Sequence, residues 1–205
     1  MASQALTCRT TARYVRTWAA RLDWRLWLIG PGAMLLLAGL GSAGLAWPAT
    51  RRAITGWGQT YADAAGPFVL VAAACVYVVR AARTRNPLCV ILLGLAAALL
   101  LREIHFGWTD HGIYVLLGVV GVWAALWWKR IELPLRDFRH TSWLLATLWT
   151  YFLAFLVSRR AFQFVPGEAV VHSFLEECLE VVSHAMLIVT SLAGSWRRIR
   201  RPAGK

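Results

Sequence analysis

The chain is poor in charge, and poorer still in acid. Only 16% of its 205 residues are charged, ten of them Asp or Glu, and Lys129 and Lys205 are the only lysines beside 20 arginines. A soluble domain carries about 25% charged residues, so this composition excludes an ordinary water-soluble globule. Cysteine is scarce too. Cys8 precedes the first apolar run, Cys75, Cys89 and Cys178 fall within apolar runs, and no pair has C-x-x-C spacing; a disulfide framework and a thiol-redox motif are thereby excluded. The sequence also lacks H-E-x-x-H, paired E-x-x-H motifs and a serine set with a histidine and an acid as a triad. Zinc-protease, di-iron and serine-hydrolase chemistry therefore have no signature here. Low-complexity segments and internal repeats are missing as well.

What the chain has in excess is apolar length: 59% of residues are hydrophobic. About 20 consecutive apolar residues cross a bilayer as a helix, and six segments meet that measure, roughly 26–47, 61–82, 87–106, 112–128, 142–157 and 169–196. The expected fold is an all-α membrane bundle forming a single domain over 1–205. The first run is too long for the apolar part of a cleaved leader, about 7–15 residues, and is read as an uncleaved anchor.

Orientation follows from the basic residues, which are retained on the cytoplasmic side of short loops. With the N-terminus inside, the inner segments hold 17 Lys and Arg and the outer ones five: Arg51, Arg52, Arg102, Arg159 and Arg160. Six helices with both ends inside satisfy that split. The acids run the other way, giving an inner net charge of +14 and an outer one of −2. The net +12 is thus a topology signal; anionic headgroups explain juxtamembrane arginines, and no nucleic-acid partner is expected. The arginine bias points to a GC-rich bacterium and hence to its inner membrane.

Several features have packing explanations. Asn86-Pro87 sets an N-cap before a proline whose missing N–H costs nothing at the first helical position. Gly39/Ala43, Gly94/Ala98 and Gly121/Ala125 are spaced to let helices approach closely, within the chain or in a homo- or hetero-oligomer. Pro31 reads as a local bend in the first helix. Trp24, Trp27, Trp47, Trp108, Trp127, Trp128, Trp143 and Trp196 fall at helix ends, where amphipathic rings sit among headgroups.

The last apolar segment is different. His172, Glu176, Glu180 and His184 recur every four residues along one helical face, with Glu177 beside them. Counting from Trp196 at about 1.5 Å per residue, His184 lies roughly 18 Å in and Glu180 roughly 24 Å. Unpaired carboxylates at such depth cost at least about 2.5–3.5 kcal/mol, so they turn inward toward partners or water. The third segment supplies those partners. Its apolar run, Leu88 to Leu101, is too short to cross alone and draws Arg102, Glu103 and His105 into the outer end of the helix. The expected site is a network of Arg102, Glu103, His105, His172, Glu176, Glu177, Glu180 and His184 that opens outward; Asp63, Asp110, His111, Arg159 and Arg160 either form its mouth or, as the preferred reading, are solvated loop charges. Below His184 only Thr190 and Ser191 offer polar groups, which favours a one-sided site over a channel.

Clustered Glu and His in a bundle suit a cation, proton or metal. For a divalent ion such as Zn or Fe, the expected ligands are Glu177, Glu180 and His184. Two alternatives stand beside that reading: a structural or assembly subunit in which the network ties helices three and six together, and a metal-dependent membrane enzyme. Haem is less well matched, since stacked histidine pairs in both leaflets are missing even though His105 and His172 fall at similar depth. The segments Leu101-Arg102-Glu103-Ile104-His105-Phe106 and Leu175-Glu176-Glu177-Cys178-Leu179-Glu180 resemble the L-R-E-x-D-F and L-E-E-x-x-E elements of uncharacterised six-helix bacterial membrane proteins. That resemblance implies no activity. It implies that Arg102, Glu103, Glu176, Glu177 and Glu180 belong to one site, with His105 standing where the family has an acid.

Overall fold

A computed structural model describes residues 19–47, 49, 52–104, 109–163 and 168–197. These residues are helical, with no strand among them. A 3-10 turn over Trp24–Leu28 leads into α1 (Ile29–Ala46), and a π-helical turn over Ala53–Gly58 leads into α2 (Gln59–Thr84). There follow α3 (Pro87–Glu103), α4 (Thr109–Leu126), the short α5 (Trp128–Leu135), α6 (Phe138–Ser158) and α7 (Glu168–Leu192).

Local chemistry explains the boundaries. Helix α2 stops at Arg85, which takes the left-handed conformation at φ 53° and donates its N–H to Ala81 O. One residue on, Asn86 Oδ1 accepts Leu88 N at 2.9 Å and Pro87 opens α3, as the sequence predicts. Asp137 caps α6 by accepting His140 N. Helix α5 was not expected. Its charged eight residues read as loop, yet Ile131 is buried on the core formed by Leu70, Ala73, Leu88, Leu92, Leu144 and Leu187. His140, two residues before the expected apolar segment 142–157, lies in the first turn of α6 and is buried.

Three helical stretches are long and apolar enough to cross a membrane: Trp24–Ser42, Thr60–Thr84 and Phe138–Ser158. Large apolar side chains also face outward on α1 (Leu35, Leu36), α2 (Phe68, Val78), α4 (Val115, Val119, Val122, Leu126) and α6 (Phe152, Phe155). In lipid such faces carry no hydrophobic penalty. Helix α7, by contrast, packs on α2, α6 and α1 and so forms the centre of the bundle. That position places its polar stripe inside.

The expected glycine seams are only partly realised. Gly94 meets Val120 of α4 in ordinary contact, but Gly39 and Gly121 have open space where a Cβ would stand. Close approach occurs elsewhere. A Cβ on Gly30 would come within 2.8 Å of Thr150 Oγ1, joining α1 to α6, and one on Gly66 would come within 3.2 Å of Glu103 Oε2, joining α2 to α3.

Candidate functional site: a histidine held between a phenol and a carboxylate

Helix α7 brings its ionisable stripe against the ends of α2 and α3. Arg102, in the last turn of α3, donates to Glu180 Oε1 at 2.8 Å. The guanidinium is half-exposed, whereas the Glu180 side chain is only 12% exposed, so this charge-assisted bond spans from solvent into the bundle. Glu103 and Glu176 also lie within electrostatic reach of Arg102.

One turn deeper sits His184, 1% exposed. Its Nδ1 is 2.7 Å from the Tyr151 hydroxyl of α6, and its Nε2 is 3.5 Å from Glu103 Oε1 of α3. The second distance is an ion-pair separation rather than a hydrogen bond, and Nε2 has no hydrogen-bond partner among the described residues. Three helices thus converge on one imidazole. Glu103 reaches it because Gly66 has no side chain: the carboxylate fills the space where a Cβ would stand, and the His184 ring edge lies 3.8 Å from the same point. The following residue, Pro67, lies inside α2 and offers no N–H to the carbonyl four residues earlier, so the backbone is perturbed beside the site.

The remaining expected members lie around this centre. His172 Nε2 is 3.5 Å from Glu176 Oε2 on the same helix. Glu177 is half-buried among acids, with Glu180, Asp63, Glu103 and Glu176 all within electrostatic reach. Asp63, read as a loop charge, is an exposed residue of α2 that contributes to this acidic surround. His105 lies outside the described residues, as do the side chains of Asp110, His111 and Glu168.

Glu177, Glu180 and His184 do not form a ligand set: Glu180 is engaged by Arg102 and His184 by Tyr151. Among the described residues no group of three or more His, Cys, Asp or Glu is disposed to hold a metal ion. A phenol, an imidazole and a carboxylate are each groups that both give and take a proton.

Sequence reasoning missed Tyr151 and Gly66. It also missed a second polar cluster at the opposite end of α7. There Arg80 of α2, 1% exposed, donates to Thr190 O at 3.2 Å, to Ser191 O and to Ser195 O at 3.3 Å, with the Trp196 ring 5.3 Å from its Cζ. Asp137 Oδ2 accepts Ser195 N at 2.6 Å. Thr147 of α6 meets Thr190 Oγ1 at 2.8 Å. Between the two clusters lie buried Leu187, Leu144 and Ala73, with Tyr77 donating to Leu187 O at 3.3 Å.

No family model, curated protein or solved structure matches the chain.

Proposed function

We propose that the protein is a six-span bacterial inner-membrane protein with both ends cytoplasmic, and that it takes up and releases protons at a one-sided site opening outward. The observation that carries this reading is the His184 ring, buried in the bundle and set between the Tyr151 hydroxyl and the Glu103 carboxylate. A buried histidine with a neutral partner on one nitrogen and an acid facing the other changes charge on gaining a proton, and nearby groups set the pH at which it does so. The buried cation Arg80 beyond Leu187 opposes onward passage of a positive charge, which supports a one-sided site.

The six-span topology rests on the 17 to 5 division of basic residues. The three longest apolar stretches support it. Helices α3, α4 and α7 would complete the count, with their polar residues turned inward. The resemblance to six-helix bacterial membrane proteins fits the same reading, because the two motif segments supply Arg102 and Glu103 on one side and Glu180 on the other.

The test is histidine NMR of the full chain in lipid nanodiscs across about pH 4 to 10, the range over which carboxyl, imidazole and phenol groups ordinarily titrate. The His184 signal is assigned by its loss in His184→Gln. The signal is expected to change with pH, and that change to be altered in Glu103→Gln. A His184 signal that never titrates, or a pH response indifferent to Glu103→Gln, would overturn the proposal. A second reading, in which the network ties α3 to α7, is favoured by the 2.8 Å Arg102–Glu180 bond. It predicts that Glu103→Gln and Glu180→Gln lower stability alike and leave that pH response in place.

A further inference from the structure

We propose that the Arg80 end of the bundle carries a binding surface for anionic phospholipid, centred on α5 and the adjoining face of α4. Val115, Val119, Val122 and Leu126 recur at helical spacing along α4 and are all exposed, from 59% to 78%. This stripe ends one turn before Lys129 and Arg130, both exposed. In α5 Ile131 is buried while Lys129, Arg130 and Glu132 are exposed, as is Arg136 just beyond its end. Trp128 is 57% exposed at the edge of that face, and Arg130 stacks on Trp127 with Cζ 4.9 Å from the ring centroid.

The two halves of this surface want different chemistry. The α4 stripe fits acyl chains; the α5 rim fits negative charge. An amphiphile with an anionic head satisfies both, whereas free phosphate satisfies only the rim and a nucleic acid leaves the stripe uncovered. Arg136 is paired with Glu132 at 3.1 Å, but among the described residues Lys129, Arg83 and Arg85 have no carboxylate partner. Arg83 and Arg85 sit at the same end, where α2 turns into α3 and α5 packs on α3. Arg85 is also held at φ 53°, a conformation that glycine or asparagine adopts with less strain.

The test is native mass spectrometry of the delipidated full chain in detergent, titrated with phosphatidylglycerol and with phosphatidylcholine of identical acyl chains. Retention of phosphatidylglycerol is expected to exceed that of phosphatidylcholine, and Lys129→Gln/Arg130→Gln to lower the preference about fivefold or more. Arg159→Gln/Arg160→Gln, at the opposite end, is expected to leave it unchanged. Should the first double variant fail to give monodisperse helical protein, Glu132→Gln tests the same surface by adding net positive charge, and is expected to raise the preference. Equal retention of the two lipids, indifference to the α5 variants, or a dimer that forms in place of lipid binding would each overturn the proposal. So would a single-stranded oligonucleotide that outcompetes phosphatidylglycerol.

Discussion

The two polar clusters along α7 differ in what satisfies their charge. At the Glu180 end, side chains face side chains from other helices: Arg102 meets Glu180, and Glu103 and Tyr151 flank His184. At the Arg80 end, a buried guanidinium donates from its two terminal nitrogens to backbone carbonyls of the last turn of α7 and the residues just beyond, its Nε having no partner among the described residues, while Asp137 takes the Ser195 amide. Backbone partners cannot ionise. They fix where a helix stops, and a cation against C-terminal carbonyls also complements the helix dipole. Side-chain partners can exchange protons and rotate away. One end of α7 is therefore built as an anchor, the other as a site whose charge can change.

The comparison is broken most severely by Arg80→Met. It removes the donors to three carbonyls, those of Thr190 and Ser191 buried and that of Ser195 part-buried, and carbonyls left without donors cost about 1–3 kcal/mol each where burial is complete. Allowing for partial access at Ser195, the expected loss is about 3 kcal/mol, read as a lower SDS fraction at the unfolding midpoint in mixed micelles. A stability loss below that of Glu180→Gln would reverse the assignment of anchor and site.

Gly66→Val sharpens the same comparison from the other side. The new Cβ would stand 3.2 Å from Glu103 Oε2, and the contact is with the far end of a flexible side chain. Overpacking of this kind costs about 1–2 kcal/mol, less than the loss at Arg80. Its larger consequence is chemical: the Glu103 carboxylate is pushed from the imidazole, and the pH response of the His184 signal is altered as in Glu103→Gln. An unchanged response would show that Gly66 serves packing alone.

Much of this was legible in the sequence, and the limits are physical. That Arg102 would meet acids of the last helix was legible, because charges at the end of one apolar run and acids within another call for partners; which acid it meets, Glu180, was not. The start of α3 was legible because Asn86-Pro87 encodes a cap. Tyr151 was not, since a tyrosine within an apolar run looks like packing until the rotation of α6 shows what its hydroxyl meets. Gly66 was missed for the converse reason: nothing local distinguishes it from Gly39 or Gly121, and only the neighbouring helix decides which glycine is approached. Helix α5 was hidden by its brevity. A single buried position, Ile131, secures it to the core.

The smallest expected effect is at the contact that looks strongest. Glu180→Gln removes the charge from a 2.8 Å bond, yet Arg102 is 44% exposed and keeps access to water and to the neighbouring acids. An ion pair so screened contributes at most about 1 kcal/mol, and glutamine retains an oxygen that accepts from the same guanidinium. The midpoint in mixed micelles should therefore shift by less than in Gly66→Val. Proton exchange should respond more than folding does, because Glu180 contributes negative charge one helical turn from His184, and its removal alters the field there. If Glu180→Gln instead unfolds the protein as readily as Arg80→Met, the Glu180 end is an anchor too, and the contrast between the two ends of α7 fails.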